Sequence, residues 1–269
     1  MKTRKSIFEI ERRINLLDEH GRLVRYMKTE PVLYRFGGFD SFYHVIDESV
    51  PLWKYRNTAF NISQYMMQIG INDLSSDSYI NDEGVVACLE LYLNLVLVGA
   101  SNIDKSKWNM ETKQRFHTAS TRVVENISYI LENINMGYTK IDDRIVIHKR
   151  DVDVDSILES RPELADVLLG YLDFRNHNDT SFKKQALVEI ASYMENDRGK
   201  YKSLNADQTN TLFYAFNSFG IRHNNDKQVS FETSKERNVF YDKVFKLAVH
   251  ILRTEEVNDF VSDINSYKR

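Results

Sequence analysis

The chain has one cysteine in 269 residues, so no intramolecular disulfide and no cysteine-built zinc site can form within it. Cys88 stands in Val85-Val86-Ala87-Cys88-Leu89, a setting that suits a buried thiol rather than a reactive one. Prolines number 3 and glycines 10. A turn-rich all-β fold needs more of both, and long stretches without breakers favour helices. No apolar run reaches the roughly 20 residues of a membrane span. Val85 to Val98 comes nearest, but it carries Glu90 and Asn94 and reads as a central buried helix. No His/Asp/Glu set has metal-ligand spacing, and there is no glycine-rich phosphate loop and no evident Ser/His/Asp arrangement. Neither a metal nor another cofactor is expected. Net charge is −3 with pI ≈ 6.2, which argues against broad capture of DNA or of an acidic membrane. The basic opening Met1-Lys2-Thr3-Arg4-Lys5 leads into no signal-peptide core, so the expected location is the cytoplasm.

What is present is the composition of a folded protein, 42% hydrophobic and 28% charged. Ser6-Ile7-Phe8-Glu9 spells a capping box, and a first helix is predicted from there through Ile14, Leu17, Val24 and Met27. Pro31, Gly37 and Gly38 mark an irregular, aromatic-rich connection from Tyr34 to Tyr43, read as a core plug or an inter-domain contact. Pro51 suits the first turn of a second helix through Trp53, Phe60, Met67 and Ile69, ending at Gly70. A polar loop, Asp73 to Asp82, precedes the buried helix. Phe116, Ala119, Val123, Ile127, Ile130 and Ile134 recur at helical spacing, and that helix should end at Gly137. The period then changes. Tyr138–Ile141 and Arg144–His148 flank Asp142-Asp143 as a β-hairpin would, with His148 read as a surface residue. Asp151-Val152-Asp153-Val154-Asp155 lacks the glycine and distal glutamate of a calcium loop and reads as a solvated linker.

Four amphipathic segments follow: Pro162 to Tyr171, Ser181 to Asn196, Asp207 to Arg222 and Lys235 to Arg253. Joined by short loops, they suit an antiparallel bundle. The expectation is a mainly α-helical chain in three parts: an N-terminal helical region (1–136), a small β-hairpin and linker (137–155), and a four-helix bundle (156–269).

Two clusters carry possible chemistry. Phe216-Asn-Ser-Phe-Gly-Ile-Arg222-His223-Asn224-Asn225 ends an apolar helix pattern in a cation, an imidazole and two amides, and Phe174-Arg175-Asn176-His177-Asn178 repeats the theme. Arg222 and His223 are candidate catalytic residues, and Asn224, Asn225, Arg175, Asn176 and His177 are candidate ligand-binding residues. The plainer alternative is a helix C-terminus, where cations bond the last carbonyls and favour the dipole.

Tyr171-Leu-Asp-Phe-Arg175, Lys184-Gln-Ala-Leu187, Ile190-Ala-Ser-Tyr-Met-Glu195, Phe216 to Asn225 and Gln228 together resemble the bacterial AbiJ-like abortive-infection proteins with HEPN-like helical bundles. The resemblance covers roughly residues 125–253. It implies a HEPN-like C-terminal bundle, a homodimer, RNA or a nucleotide as partner, and metal-independent RNA cleavage. In such chemistry His223 would act as base or acid and Arg222 as the charge stabiliser. Catalytic HEPN domains pair an Arg and a polar residue with a His four to six residues further on. Here 226, 227 and 228 are Asp, Lys and Gln, so that His is missing. A composite site would need His177 packed beside Arg222. The competing reading is a non-catalytic helical interaction module.

Overall fold

The computed structural model describes residues 15–35, 37–71, 81–222, 229 and 231–266. The capping box at Ser6 and all but the last two residues of the Asp73–Asp82 loop lie outside them. The chain is mainly α-helical with two small strand pairs, and it divides into two compact units, Met1–Ile147 and His148–Arg269.

The first unit begins with α1 (Leu16–Thr29), whose first turn is closed by the Asn15 side chain accepting from the Leu17 and Asp18 amides. Strands β1 (Pro31–Arg35) and β2 (Gly38–Ser41) form an antiparallel hairpin where the sequence suggested irregular chain. Its turn is made by Gly37 at φ 82, a conformation that suits glycine. The aromatics do not act together as a plug. Phe42 is buried against Phe116, whereas Tyr34 and Phe39 meet edge-to-face across the hairpin and stay exposed. Next comes α2 (Phe42–Asp47). The expected helix from Pro51 to Gly70 is mostly absent: Val50–Leu52 makes one 3-10 turn, and only Ile62–Gln68 is helical (α3). Asn57, at φ 53, interrupts the path, and Asn61 caps a fresh start.

The centre of this unit is α4 (Asp82–Lys105), with 13 buried residues. By length and composition it could cross a membrane, but α1, α2 and α5 (Met110–Asn133) pack around it. At Gly99 the packing is close: a Cβ there would sit 3.0 Å from the Phe116 ring. The α5 stripe follows the spacing read from the sequence, but the helix stops at Asn133, where Asn135 turns through φ 56, rather than at Gly137.

Strands β3 (Met136–Ile141) and β4 (Arg144–Lys149) form the expected hairpin. Its attachment to α4 explains the two polar residues in that apolar helix. The Asn94 amide donates to the Ile145 carbonyl at 2.8 Å and accepts from the Ile145 amide at 2.9 Å, and Glu90 accepts from the Ile147 amide at 2.7 Å. Two helix side chains thus complete the hydrogen bonding of a strand edge. His148 is buried rather than superficial, its Nδ1–H donating to the Lys149 carbonyl at 3.0 Å.

The second unit opens with α6 (Val152–Ser160), which replaces the expected linker. Asp151 caps it, and Asp153 and Asp155 lie in its first turn, where carboxylates suit the helix dipole. Then follow α7 (Ala165–Leu172), α8 (Thr180–Asn196), a short α9 (Arg198–Leu204), α10 (Ala206–Ser218) and α11 (Ser234–Ser266). The four expected amphipathic segments are α7, α8, α10 and α11, and the last runs well past Arg253. Near their N-terminal turns α8 and α11 lie side by side: Thr180 bonds Asn238, and Lys183 pairs with Asp242 at 2.8 Å.

Candidate functional site

Arg222 follows the stop signal of α10. Gly220 turns through φ 72, Ile221 returns to the core, and the Arg222 amide donates to the Phe216 carbonyl at 3.0 Å. Its guanidinium lies 2.5 Å from a Glu195 carboxylate oxygen, a group that also meets Arg198 at 3.4 Å. With about a quarter of the side chain exposed, the cation is neither sealed nor free, because it is held by a carboxylate that it shares with Arg198. His223, Asn224 and Asn225 lie outside the described residues.

Arg175 meets the same fate at the other cluster. Asp173, itself buried, accepts from the Arg175 backbone amide at 2.9 Å, from Nε at 2.9 Å and from Nη2 at 2.5 Å. Asp173 is also fixed by an antiparallel bridge to His148. Asn176 donates to the Gly170 carbonyl at 2.9 Å, closing the end of α7. His177 is exposed.

The two clusters do not converge. Arg175 and His177 precede the first turn of α8 at Thr180, while Arg222 is tied to Glu195 in its last turn. At 1.5 Å per residue those two positions are roughly 22 Å apart along the helix. The composite arrangement, with His177 beside Arg222, is therefore not formed: a turn of three residues cannot return His177 along that length.

Two buried ionic groups in this unit escaped the sequence reading. Lys183, nearly fully buried, points at Asp242 and lies 5.5 Å from the Tyr171 ring centre, and the Tyr171 hydroxyl donates to Asp242 at 3.0 Å. Burial, then the Asp242 charge, pushes the Tyr171 phenol well up. Glu255 sits between Arg161 and Lys200, each at 2.6 Å. Both groups join helices and leave no carboxylate or amine uncompensated. The signal was present: Lys183 falls on the apolar stripe of α8 with Ala186, Leu187 and Ile190. Among the described residues, no group of three or more His, Cys, Asp or Glu could hold a metal.

Comparison with protein-family models, with curated proteins and with solved structures finds no match.

Proposed function

We propose that the chain is a non-catalytic helical interaction module in which Arg222, Arg175 and Asn176 close helices and order the second unit. One observation carries this: Arg222 and Arg175 are each engaged by a carboxylate of their own unit, Glu195 and Asp173. A group meant to stabilise developing negative charge is poorly placed for it when a carboxylate already occupies its hydrogen-bonding face. The test is incubation of the purified chain with total RNA and no metal, beside Arg222→Ala. The expected result is intact RNA in both lanes and a melting temperature a few degrees lower in the variant, since a partly exposed pair stabilises by up to about 1 kcal/mol. RNA cut by the wild type and spared by Arg222→Ala would overturn the reading.

A second reading, RNA or nucleotide binding in a cytoplasmic defence protein of the abortive-infection kind, is supported at a different place. Lys243, Lys246 and His250 recur at helical spacing on the exposed side of α11, and none has a carboxylate partner among the described residues. Retention of RNA by the wild type, lost in Lys243→Glu/Lys246→Glu and kept in Arg222→Ala, would favour it over the first.

A further inference from the structure

The first unit contains a cleft of about 540 Å³, walled by the last turns of α4, the tip of the β3–β4 hairpin and the Leu52–Lys54 segment. That volume is within the range of small-molecule sites. Its apolar lining comes from Leu97 and Val98 of α4 and from Leu52 and Trp53. Farther along the same face of α4 the lining turns polar, with Ser101 and Lys105, and Lys140 of β3 lines the cleft as well.

The charges are unequal in their availability. Lys54 lies 2.7 Å from Asp143, and the Tyr55 hydroxyl donates to the same carboxylate at 2.8 Å. Those two hydrogen bonds hold the Asp143 carboxyl below its usual range. Lysine and carboxylate there cancel each other. Lys105 and Lys140 are exposed and have no ion-pair partner among the described residues. Asp142, at the turn with φ 52, is the remaining acid of the rim, so the cleft keeps an excess of positive charge. Lys105 alone would suit the C-terminal end of α4 and need no ligand. Lys140 belongs to a strand, where no helix dipole accounts for it. An apolar lining left open to solvent beside two ammonium groups that have no ion-pair partner among the described residues is a combination that folding alone does not require.

We propose that this cleft binds a small amphipathic organic monoanion, its apolar body against Leu97, Val98 and Leu52 and its charge between Lys105 and Lys140. The site stands apart from the function proposed for the second unit.

The experiment uses the full chain and two fluorescent probes: anilinonaphthalene sulfonate, which has an aromatic body and one negative charge, and phenylnaphthylamine, the uncharged equivalent. One sulfonate probe should bind per chain. Lys105→Gln/Lys140→Gln should weaken it about tenfold, as expected for two near-surface charges of up to about 1 kcal/mol each, and leave the neutral probe unchanged. Ser101→Trp, placed on the α4 wall, should exclude both. Rising salt should weaken the sulfonate alone, a readout that needs no variant. Equal sulfonate affinity in wild type and the double variant, binding that survives Ser101→Trp, or no dependence on salt would each overturn the proposal.

Discussion

His20 gives a test of the first unit that depends on pH alone. It is 2% exposed in α1, its ring stacked on Tyr92 with Nε2 3.3 Å from the Tyr92 hydroxyl. Burial lowers its pKa from 6.5 to about 4. The unfolded chain therefore takes up a proton near pH 6.5, while the folded chain resists until about pH 4. Stability is full above the unfolded value, falls as the pH drops from about 6.5 to about 4, and levels off below. At 1.36 kcal/mol per pKa unit the loss amounts to about 3 kcal/mol. Both tryptophans, Trp53 and Trp108, belong to this unit, so urea unfolding followed by tryptophan fluorescence reads its stability specifically. Asp47 works in the opposite sense, because burial raises its pKa and favours the folded state in acid. Comparison with His20→Gln cancels that contribution: an amide at this position can still bond the Tyr92 hydroxyl and does not titrate. The wild type should lose about 3 kcal/mol more than the variant between pH 7 and pH 4. Parallel pH profiles for the two would refute the argument, since the imidazole would then be no better shielded folded than unfolded.

Asn94→Leu should destabilise the first unit by about 3 kcal/mol in the same urea assay, since it orphans both the amide and the carbonyl of Ile145; a change under about 1 kcal/mol would mean that water replaces the side chain. Gly21→Ala should stabilise α1 by about 1 kcal/mol, because a Cβ there meets nothing within 4 Å. Gly99→Ala should instead lower the melting temperature, with the Phe116 ring 3.0 Å from the new carbon; the same sign for both would show that the packing contact at Gly99 is not decisive. Glu255→Gln should destabilise the second unit by about 3 kcal/mol by leaving the largely covered Arg161 guanidinium without its carboxylate. Hydrogen exchange across α9 and α11 checks this, and unchanged protection would count against it.

The helices were legible where one stripe of apolar residues decides the matter. The Phe116–Ile130 repeat in α5 and the stripes of α8 and α10 lie buried as their spacing requires. Prediction failed where a local capping bond outweighed pattern. The alternating Asp151–Asp155 run looks solvated, yet one Asp151 oxygen accepts from two backbone amides and starts α6. Pro51 is compatible with a helix start, but Asp47 accepts from the Ile62 amide at 2.6 Å and helps fix the later one. The β1–β2 hairpin went unread because its core-facing residues, Val32 and Leu33, are adjacent rather than alternating, and a register shift between Pro31 and Leu33 accommodates them.

The candidate site was less legible for a different reason. A sequence states where cations stand but not which carboxylates come to meet them, and Glu195 is 27 residues from Arg222. Asparagine adds a second source of ambiguity. Asn15, Asn61, Asn81, Asn109 and Asn205 each start a helix by accepting a backbone hydrogen bond, and Asn176 closes one. Among the described residues an asparagine repeatedly serves as a helix terminus. An Arg-His-Asn-Asn string at the end of an apolar segment therefore weighs less as a ligand site than it would in a chain with few asparagines. The residue type chosen for polarity turns out to serve the backbone, and the unneutralised lysines on α4, β3 and α11 are the better guides to where an anion could bind.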